Sequence, residues 1–130
     1  MGRAICNKLV LTGLLLFVTL VGGKAFAKQP ISERDLTVVS VAQLPAQGAQ
    51  TYALIFSGGP FPYEKDGVVF GNRDRLLPSR SRGYYREYTV STPGVGHRGK
   101  RRIVCGGERK PPAVCYYTDD HYASFRKIVP

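Results

Sequence analysis

The sequence predicts an α+β domain in which one main N-terminal helix packs on an antiparallel sheet of four or five strands. Residues 46–56 carry apolar side chains at helical spacing, whereas residues 67–129 contain five short β-prone runs separated by turn residues. Strands that follow one another without intervening helices pair antiparallel. The length of 130 residues leaves room for one such domain and excludes a two-domain cofactor enzyme.

The first 27 residues have the features of a secretory signal peptide. Arg3 and Lys8 precede an apolar run from Leu9 to Val21, and Ala25-Phe26-Ala27 provides small residues for cleavage. The run is shorter than the about 20 residues that a membrane span needs. An uncleaved N-terminal anchor is the alternative. We expect cleavage near Ala27, which leaves residues 28–130 as one exported domain without a membrane attachment, either periplasmic or extracellular.

The helix is expected from Ala46 to Phe56. Pro45 opens this segment, its apolar side chains include Ala49 and Tyr52, and residues 57–60 (Ser-Gly-Gly-Pro) end it. The stretch before it, Leu36 to Leu44, is apolar and receives no element.

The five strand-like runs share β-branched and aromatic residues, and Pro-Gly, Gly-Gly and Pro-Pro pairs lie between several of them. In the second run, Arg86 and Tyr88 alternate with Glu87 and Thr89, so these two pairs belong to opposite faces. The expected strands are Gly67 to Phe70, Gly83 to Val90, Arg101 to Cys105, Val114 to Thr118 and Tyr122 to Val129.

The expected mature domain is basic and has an even number of cysteines. The chain has 19 Lys and Arg against 9 Asp and Glu; the signal peptide holds three of the cations, so the remainder carries a net charge of +7. This favours polyanionic partners such as nucleic acid, anionic lipid or acidic polysaccharide. Cys6 leaves with the signal peptide. Cys105 and Cys115 then lie on adjacent strands of an exported chain, and we expect a disulfide between them rather than a zinc site.

Several chemically active side chains stand in the strand region. Glu87 lies among tyrosines and is either an ion-pair partner, which its position alone favours, or a general base. His121 follows two aspartates, and Arg98 and Arg102 bracket a loop-to-strand transition. A solvated charge run is the alternative for the arginines. Together, one carboxylate, one histidine and two guanidinium groups suffice for phosphoryl transfer. RNA supplies its own 2′-OH nucleophile, so we expect no metal and no cofactor.

Four longer segments resemble one known family. The resemblance is to the secreted microbial guanyl-specific ribonucleases, the group that includes barnase, and is closest to their actinomycete branch. It extends from Ala53 to Phe125 and implies the same α+β fold. The segments that carry it are GPFPYEKDGVVFGNRD (Gly59 to Asp74), LLPSRSRGYYREYTV (Leu76 to Val90), TPG…RGKRRI (Thr92 to Ile103) and YYTDDHYASF (Tyr116 to Phe125).

The resemblance implies a role for each of the residues singled out above. Glu87 matches the family's general base, which takes the proton of the 2′-OH. His121 matches the general acid for the 5′-oxygen. Arg98 and Arg102 match the two arginines that hold the phosphate, and Tyr122 matches a tyrosine that hydrogen-bonds it. The implied product is a 2′,3′-cyclic phosphate, which is then hydrolysed slowly.

The resemblance also implies that residues 70–74 bind guanine. Backbone N–H groups of this loop, which includes Gly71 and Asn72, contact O6, while Phe70 and Arg73 cover the ring faces. Asp74 stands where the family usually has Glu and contacts N1–H and the exocyclic amine. Its side chain is one methylene shorter, and a poorly matched buried donor costs about 1–3 kcal/mol. We therefore expect a guanine preference that is retained but weaker.

The function expected from the sequence is a secreted endoribonuclease that cleaves single-stranded RNA 3′ of guanosine. The first alternative is a catalytically weak, cationic protein that binds RNA or another polyanion on the same scaffold. A second is a ribonuclease toxin aimed at other cells, although the plain signal peptide argues against it. The resemblance further implies an acidic, barstar-like inhibitor protein as a partner, and we expect a monomer.

Overall fold

A twisted sheet flanked on one face by a helix forms the frame of the domain. The computed structural model describes residues 31–130, so the expected signal peptide lies outside the described residues. None of the helices in this part of the chain is long and apolar enough to cross a membrane. The elements in chain order are β1 (Val38–Ser40), α1 (Ala46–Ser57), β2 (Val68–Val69), β3 (Tyr85–Thr89), β4 (Arg102–Gly106), β5 (Val114–Thr118) and β6 (Arg126–Val129), with 3₁₀ turns at Glu33–Asp35 and Val41–Gln43.

The sheet has six strands in the order β1-β6-β5-β4-β3-β2. Every neighbouring pair is antiparallel except β1 and β6, which are parallel. The predicted α+β class is confirmed, and the strand count is higher than the expected four or five. The additional strand, β1, comes from the apolar stretch Leu36 to Leu44. Only three of its residues pair, and they pair with the other end of the chain, so no local pattern marks it as a strand.

Helix α1 has nearly the predicted bounds because its end is determined locally. Gly58 adopts a left-handed conformation with a φ of 85°, which glycine adopts without steric cost. The N–H of Gly59 then donates to the carbonyl of Leu54 at 2.9 Å. Ile55, in the last turn, is 1% exposed and packs into the core cluster that includes Tyr88 and Ile103. One side of the sheet is therefore closed by the helix.

The disulfide lies on the helix-covered face. Cys105 and Cys115 are direct partners in the register of β4 and β5 and are joined by a disulfide bond. Both belong to the same buried cluster as Ile55. The predicted bond is therefore present, and it lies on the face opposite to Glu87, since Glu87 and Arg86 alternate along β3.

The open face of the sheet carries a second, smaller apolar cluster. Tyr85, Val104 and Tyr116 project from β3, β4 and β5, and Leu77 and Phe125 from the adjoining loops pack on them. All five are at least 94% buried. This cluster forms a rigid floor beside Glu87, whose register partner on β4 is Val104.

Candidate active site

Glu87 lies in the middle of β3 on the open face, and both of its carboxylate oxygens have a partner. The phenol of Tyr122 donates to Oε2 at 2.6 Å. The guanidinium of Arg98 approaches Oε1 at 3.5 Å, and the Glu87 side chain is 14% exposed. The ion pair that the position of Glu87 favoured is therefore present, and the contact with Tyr122 is much the shorter of the two.

Two arginines, Arg98 and Arg102, belong to the same part of the site. Arg102 is 3% exposed, and its Nη1 donates to the carbonyls of Arg98 and Arg101 at 3.2 and 2.7 Å. Its Nε is buried and donates to no acceptor in residues 31–130. Arg98 is fixed by a 3.0 Å hydrogen bond from its Nε to the hydroxyl of Thr89. A buried donor without an acceptor costs free energy, and an anion that reached the Nε of Arg102 would satisfy it.

The turn after β5 holds His121 and Tyr122 in an unusual backbone conformation. Their φ angles are 55° and 71°, and left-handed conformations at bulky residues are uncommon. The hydroxyl of Thr118, a 1% exposed residue, accepts the N–H of Tyr122 at 3.2 Å. The N–H of His121 donates to the carbonyl of Lys100 at 3.0 Å. The turn is therefore held from both sides, with the imidazole exposed at its tip.

Asp120 closes the same turn from the other side. Its carboxylate accepts hydrogen bonds from the backbone and hydroxyl of Ser124 and from the hydroxyl of Thr118. These bonds, above all the one from the Ser124 hydroxyl, lower the pKa of Asp120 below its ordinary value. Asp120 thus stabilises the loop that carries His121, and the sequence pattern, which contains two aspartates there, gave no sign of this role.

Tyr122 remains a hydrogen-bond donor over the whole physiological pH range. Burial, followed by the hydrogen bond and the charge of Glu87, raises the pKa of Tyr122 from its ordinary value to about 12. Its ring stacks on Phe70 with 5.1 Å between centroids and lies 6.0 Å from the Cζ atom of Arg102. Tyr122 therefore connects Glu87 and Arg102 with Phe70, the first residue of the loop of residues 70–74.

The loop of residues 70–74 is held by the side chain of Asn72. This residue has a φ of 51°; its amide donates to the carbonyl of Leu77 at 2.9 Å and accepts the N–H of Leu77 at 3.1 Å. The side chain is therefore occupied in shaping the loop. Arg73 and Asp74 are exposed on it.

One pocket of about 480 Å³ joins the loop to the catalytic candidates. This volume is in the range of about 300–1,000 Å³ that is usual for small-ligand sites. Arg98 and Arg102 are not among its lining residues. Arg98 contacts Glu87, and the Cζ atom of Arg102 lies 6.0 Å from the ring centroid of Tyr122. In residues 31–130 no three His, Cys, Asp or Glu side chains are grouped as metal ligands. The lining residues are Val69, Phe70, Gly71, Asn72, Arg73, Asp74, Leu76, Glu87, His121, Tyr122 and Phe125.

The sequence missed the apolar residues Val69, Leu76 and Phe125, which line the pocket, and the polar residues that support the site. Thr89, Thr118 and Asp120 fix Arg98, Tyr122 and the His121 turn. All three stand within segments that carried the family resemblance, and this is the only signal that points to them. A polar residue at the end of a strand is otherwise expected from exposure to solvent alone.

Comparisons with known proteins agree with this fold. A family model described as ribonuclease matches residues 28–129. Guanyl-specific ribonuclease Sa3 of Kitasatospora aureofaciens is 56% identical over 90 residues, which cover 69% of this chain and 62% of that protein. The chain thus spans less than two thirds of this relative. Guanyl-specific ribonuclease Sa of the same organism is 52% identical over 69% of this chain and 91% of that protein.

Further similarity comes from guanyl-specific ribonuclease St of Saccharopolyspora erythraea, which is 51% identical over 70% of this chain and 86% of that protein. Among solved structures, ribonuclease Sa2 in complexes with mononucleotides superposes with a TM-score of 0.69 at 48% identity, covering 73% of this chain and 95% of that one. Ribonuclease Sa2 with guanosine-2′-cyclophosphate gives a TM-score of 0.67 at 48% identity, over 73% and 97% of the two chains. The chain therefore belongs to the ribonuclease family and, within it, is similar to the guanyl-specific ribonucleases of these actinomycetes.

Proposed function

We propose that the chain is a guanyl-specific endoribonuclease that cleaves single-stranded RNA on the 3′ side of guanosine. The observation that carries this proposal is that a single pocket is lined both by the loop of residues 70–74 and by Glu87 and His121. A base held by the loop would present its ribose and 3′-phosphate to a carboxylate and an imidazole. The relatives named as guanyl-specific ribonucleases support the same substrate class.

In the proposed first step, Glu87 acts as the general base. Its carboxylate takes the proton of the 2′-OH, the 2′-oxygen forms a bond to phosphorus, and the bond from phosphorus to the 5′-oxygen breaks. His121 gives a proton to the departing 5′-oxygen, which leaves a 2′,3′-cyclic phosphate. In the slower second step, His121 takes a proton from water, whose oxygen forms a bond to phosphorus. The bond from phosphorus to the 2′-oxygen breaks, and Glu87 returns its proton to that oxygen, which leaves a 3′-phosphate. The nucleophile of the first step belongs to the RNA, so the proposed mechanism needs no cofactor.

Arg98 and Arg102 are proposed to hold the phosphate during both steps. Fixed cations and hydrogen-bond donors stabilise the charge that grows on the phosphoryl oxygens. The buried and unpartnered Nε of Arg102 supports this role, as does the long 3.5 Å contact of Arg98 with Glu87, which a phosphate oxygen can replace. Tyr122 would orient Glu87 in the free enzyme and hydrogen-bond the phosphate when substrate is bound.

Base selection is proposed to rest on Asp74, with Phe70 and Arg73 over the ring faces. The Asn72 amide is engaged with Leu77, so backbone N–H groups of the loop would bind O6. We further propose removal of residues 1–27 before the enzyme acts outside the cytoplasm, a monomeric state, and inhibition by an acidic, barstar-like protein. The net positive charge of the domain would favour both RNA and such an inhibitor.

The proposal is tested with residues 28–130 and the dinucleoside phosphate GpU in the presence of EDTA. We expect guanosine 2′,3′-cyclic phosphate as the first product. His121→Ala and Glu87→Gln should each lower kcat by about 10²–10⁴-fold while the circular dichroism spectrum is retained. The matched control, His97→Ala, removes the other exposed imidazole, whose Nδ1 accepts the N–H of Gly99. It should lower kcat far less than His121→Ala does.

Two outcomes would contradict the proposal. Without any cleavage of GpU above background, the alternative of a cationic RNA-binding protein on this scaffold would be favoured. If Glu87→Gln retained nearly full activity while His121→Ala did not, the base would have to be another group, and the ion-pair interpretation of Glu87 would stand alone.

A further inference from the structure

A second pocket lies on the other side of the loop of residues 70–74. It has a volume of about 570 Å³ and shares one wall, residues 69–73, with the pocket described above. Its other wall is the segment of residues 80–83 together with Tyr85. We call it the arginine pocket, because Arg73, Arg80 and Arg82 line it and no Asp or Glu does.

The segment that forms one wall of the arginine pocket is held by hydrogen bonds and by a ring contact. The buried phenol of Tyr85 donates to the carbonyl of Pro78 at 2.6 Å, and the N–H of Tyr84 closes a turn onto the carbonyl of Ser81 at 3.1 Å. The guanidinium of Arg80 lies over the ring of Tyr84, 5.1 Å from its centroid. This cation–π contact restricts a long side chain that would otherwise sample many rotamers.

The charges of this pocket have no internal compensation. One ion pair of the domain joins Arg98 to Glu87 and another joins Arg126 to Asp119. Arg73, Arg80 and Arg82 take part in neither, and all three are exposed. Three guanidinium groups around one concavity produce a local positive potential that attracts an anion, and their planar donors match the oxygens of a phosphate.

We propose that the arginine pocket binds the phosphodiester on the 5′ side of the guanosine, and hence that the preferred substrate is RNA with at least one nucleotide preceding the guanosine. This inference rests on the proposed function. In that function the 3′-phosphate lies with Glu87 and His121, which line the first pocket and not the arginine pocket. A strand that leaves the guanine in the other direction, along the shared wall of residues 69–73, would reach Arg80 and Arg82, while Arg73 is proposed to cover the guanine ring and adds only to the local positive potential.

The test compares GpU with pGpU, which differ only by a phosphate on the 5′-oxygen of the guanosine. Each exposed guanidinium–phosphate contact is expected to change kcat/KM by roughly two- to fivefold. The ratio of kcat/KM for pGpU to that for GpU should therefore be about five to ten in the unmodified protein at low salt, and it should fall towards one as the salt concentration rises. ApGpU, in which the same position is a phosphodiester, should behave like pGpU.

The decisive variant is Arg80→Gln with Arg82→Gln. It should bring the pGpU-to-GpU ratio close to one. The matched control is Arg34→Gln with Arg109→Gln, which removes the same charge from exposed positions outside both pockets and should keep the ratio. A ratio of one in the unmodified protein, or an equal loss of the ratio in the control, would overturn the inference while GpU cleavage still supported the proposed function. Failure of the unmodified protein to cleave GpU would refute the proposed function and this inference with it.

Discussion

The hydrogen bond from Tyr122 to Glu87 offers the sharpest test of how the site is held. Replacing Tyr122 by Phe removes only the hydroxyl and leaves the ring that stacks on Phe70. Bonds in which one partner is charged contribute about 1.5–3 kcal/mol. The bond is short, at 2.6 Å, but Glu87 retains 14% exposure of its side chain, so water can partly replace the lost donor. We therefore expect a loss of about 1.5–2 kcal/mol in the free energy of unfolding.

A loss of this size is readily measured. The nearest remaining donor to Glu87, Arg98, is at 3.5 Å and contacts the other carboxylate oxygen, so it compensates little. For a domain of this length, 1 kcal/mol corresponds to about 4–8 °C, so the midpoint of thermal unfolding should fall by roughly 6–16 °C. The control is Tyr63→Phe. The Tyr63 hydroxyl lies 3.3 Å from the hydroxyl of Ser91, a neutral and longer bond, and its loss should cost about 0.5 kcal/mol.

A double-mutant cycle isolates the interaction between Tyr122 and Glu87. Urea unfolding is measured for Tyr122→Phe, for Glu87→Ala and for the variant that carries both changes. The expected coupling energy is about 1–2 kcal/mol. A coupling below about 0.5 kcal/mol would mean that the bond is replaced by water at no cost, and the view of Tyr122 as the group that fixes Glu87 would be refuted. The same view would also be refuted if Tyr63→Phe proved as destabilising as Tyr122→Phe.

Three other predictions concern specificity, pH and covalent stability. Asp74→Glu should raise the ratio of guanosine to adenosine substrate cleavage and Asp74→Asn should lower it; ratios that do not move in dinucleotide assays would exclude Asp74 from base recognition. Because the folded-state pKa of Tyr122 is raised to about 12, its contribution to stability is complete below about pH 10 and is lost as the pH rises through 12. Between these pH values, Tyr122→Phe should therefore make the slope of unfolding free energy against pH less steep, by up to the equivalent of one proton. An unchanged slope would show that another group dominates. The variant in which Cys105 and Cys115 are both Ser should lose about 2–3 kcal/mol of stability and keep kcat, because the bond lies on the face opposite to Glu87; a large drop in kcat in the folded variant would contradict that separation.

The parts of the fold that the sequence predicted are those determined by neighbouring residues. Helix α1 ends where Gly58 can turn left-handed. Strands β3, β4 and β5 follow one another without an intervening helix, so their antiparallel order has a local cause. The pairing of β1 with β6 joins residues about ninety positions apart, Val39 and Ile128. No pattern within three residues contains that information, and the strand was missed for this reason.

The candidate site divides in the same way. The chemically distinctive groups, a carboxylate among tyrosines and clustered arginines, are visible in the sequence, and the structure brings Glu87, Arg98 and Tyr122 into contact. The supports are not visible, because Thr118 and Asp120 act through hydrogen bonds to a turn whose φ angles are unusual for His and Tyr. A positive φ at a bulky residue leaves no compositional trace, unlike one at glycine.

The two interpretations of Glu87 that the sequence left open describe one arrangement at two stages of the proposed reaction. Without substrate, Arg98 faces Glu87 at 3.5 Å, a distance at which the guanidinium is held mainly by Thr89 and by charge. A phosphate that arrives between them offers Arg98 two closer oxygens, and the hydroxyl of Tyr122, which donates to Glu87 without substrate, then donates to the phosphate. In this mechanism the ion pair keeps the cation in place until the phosphate binds. Thr89→Val should therefore raise KM for GpU more than it lowers kcat, and the reverse pattern would show that Thr89 supports the chemical step instead.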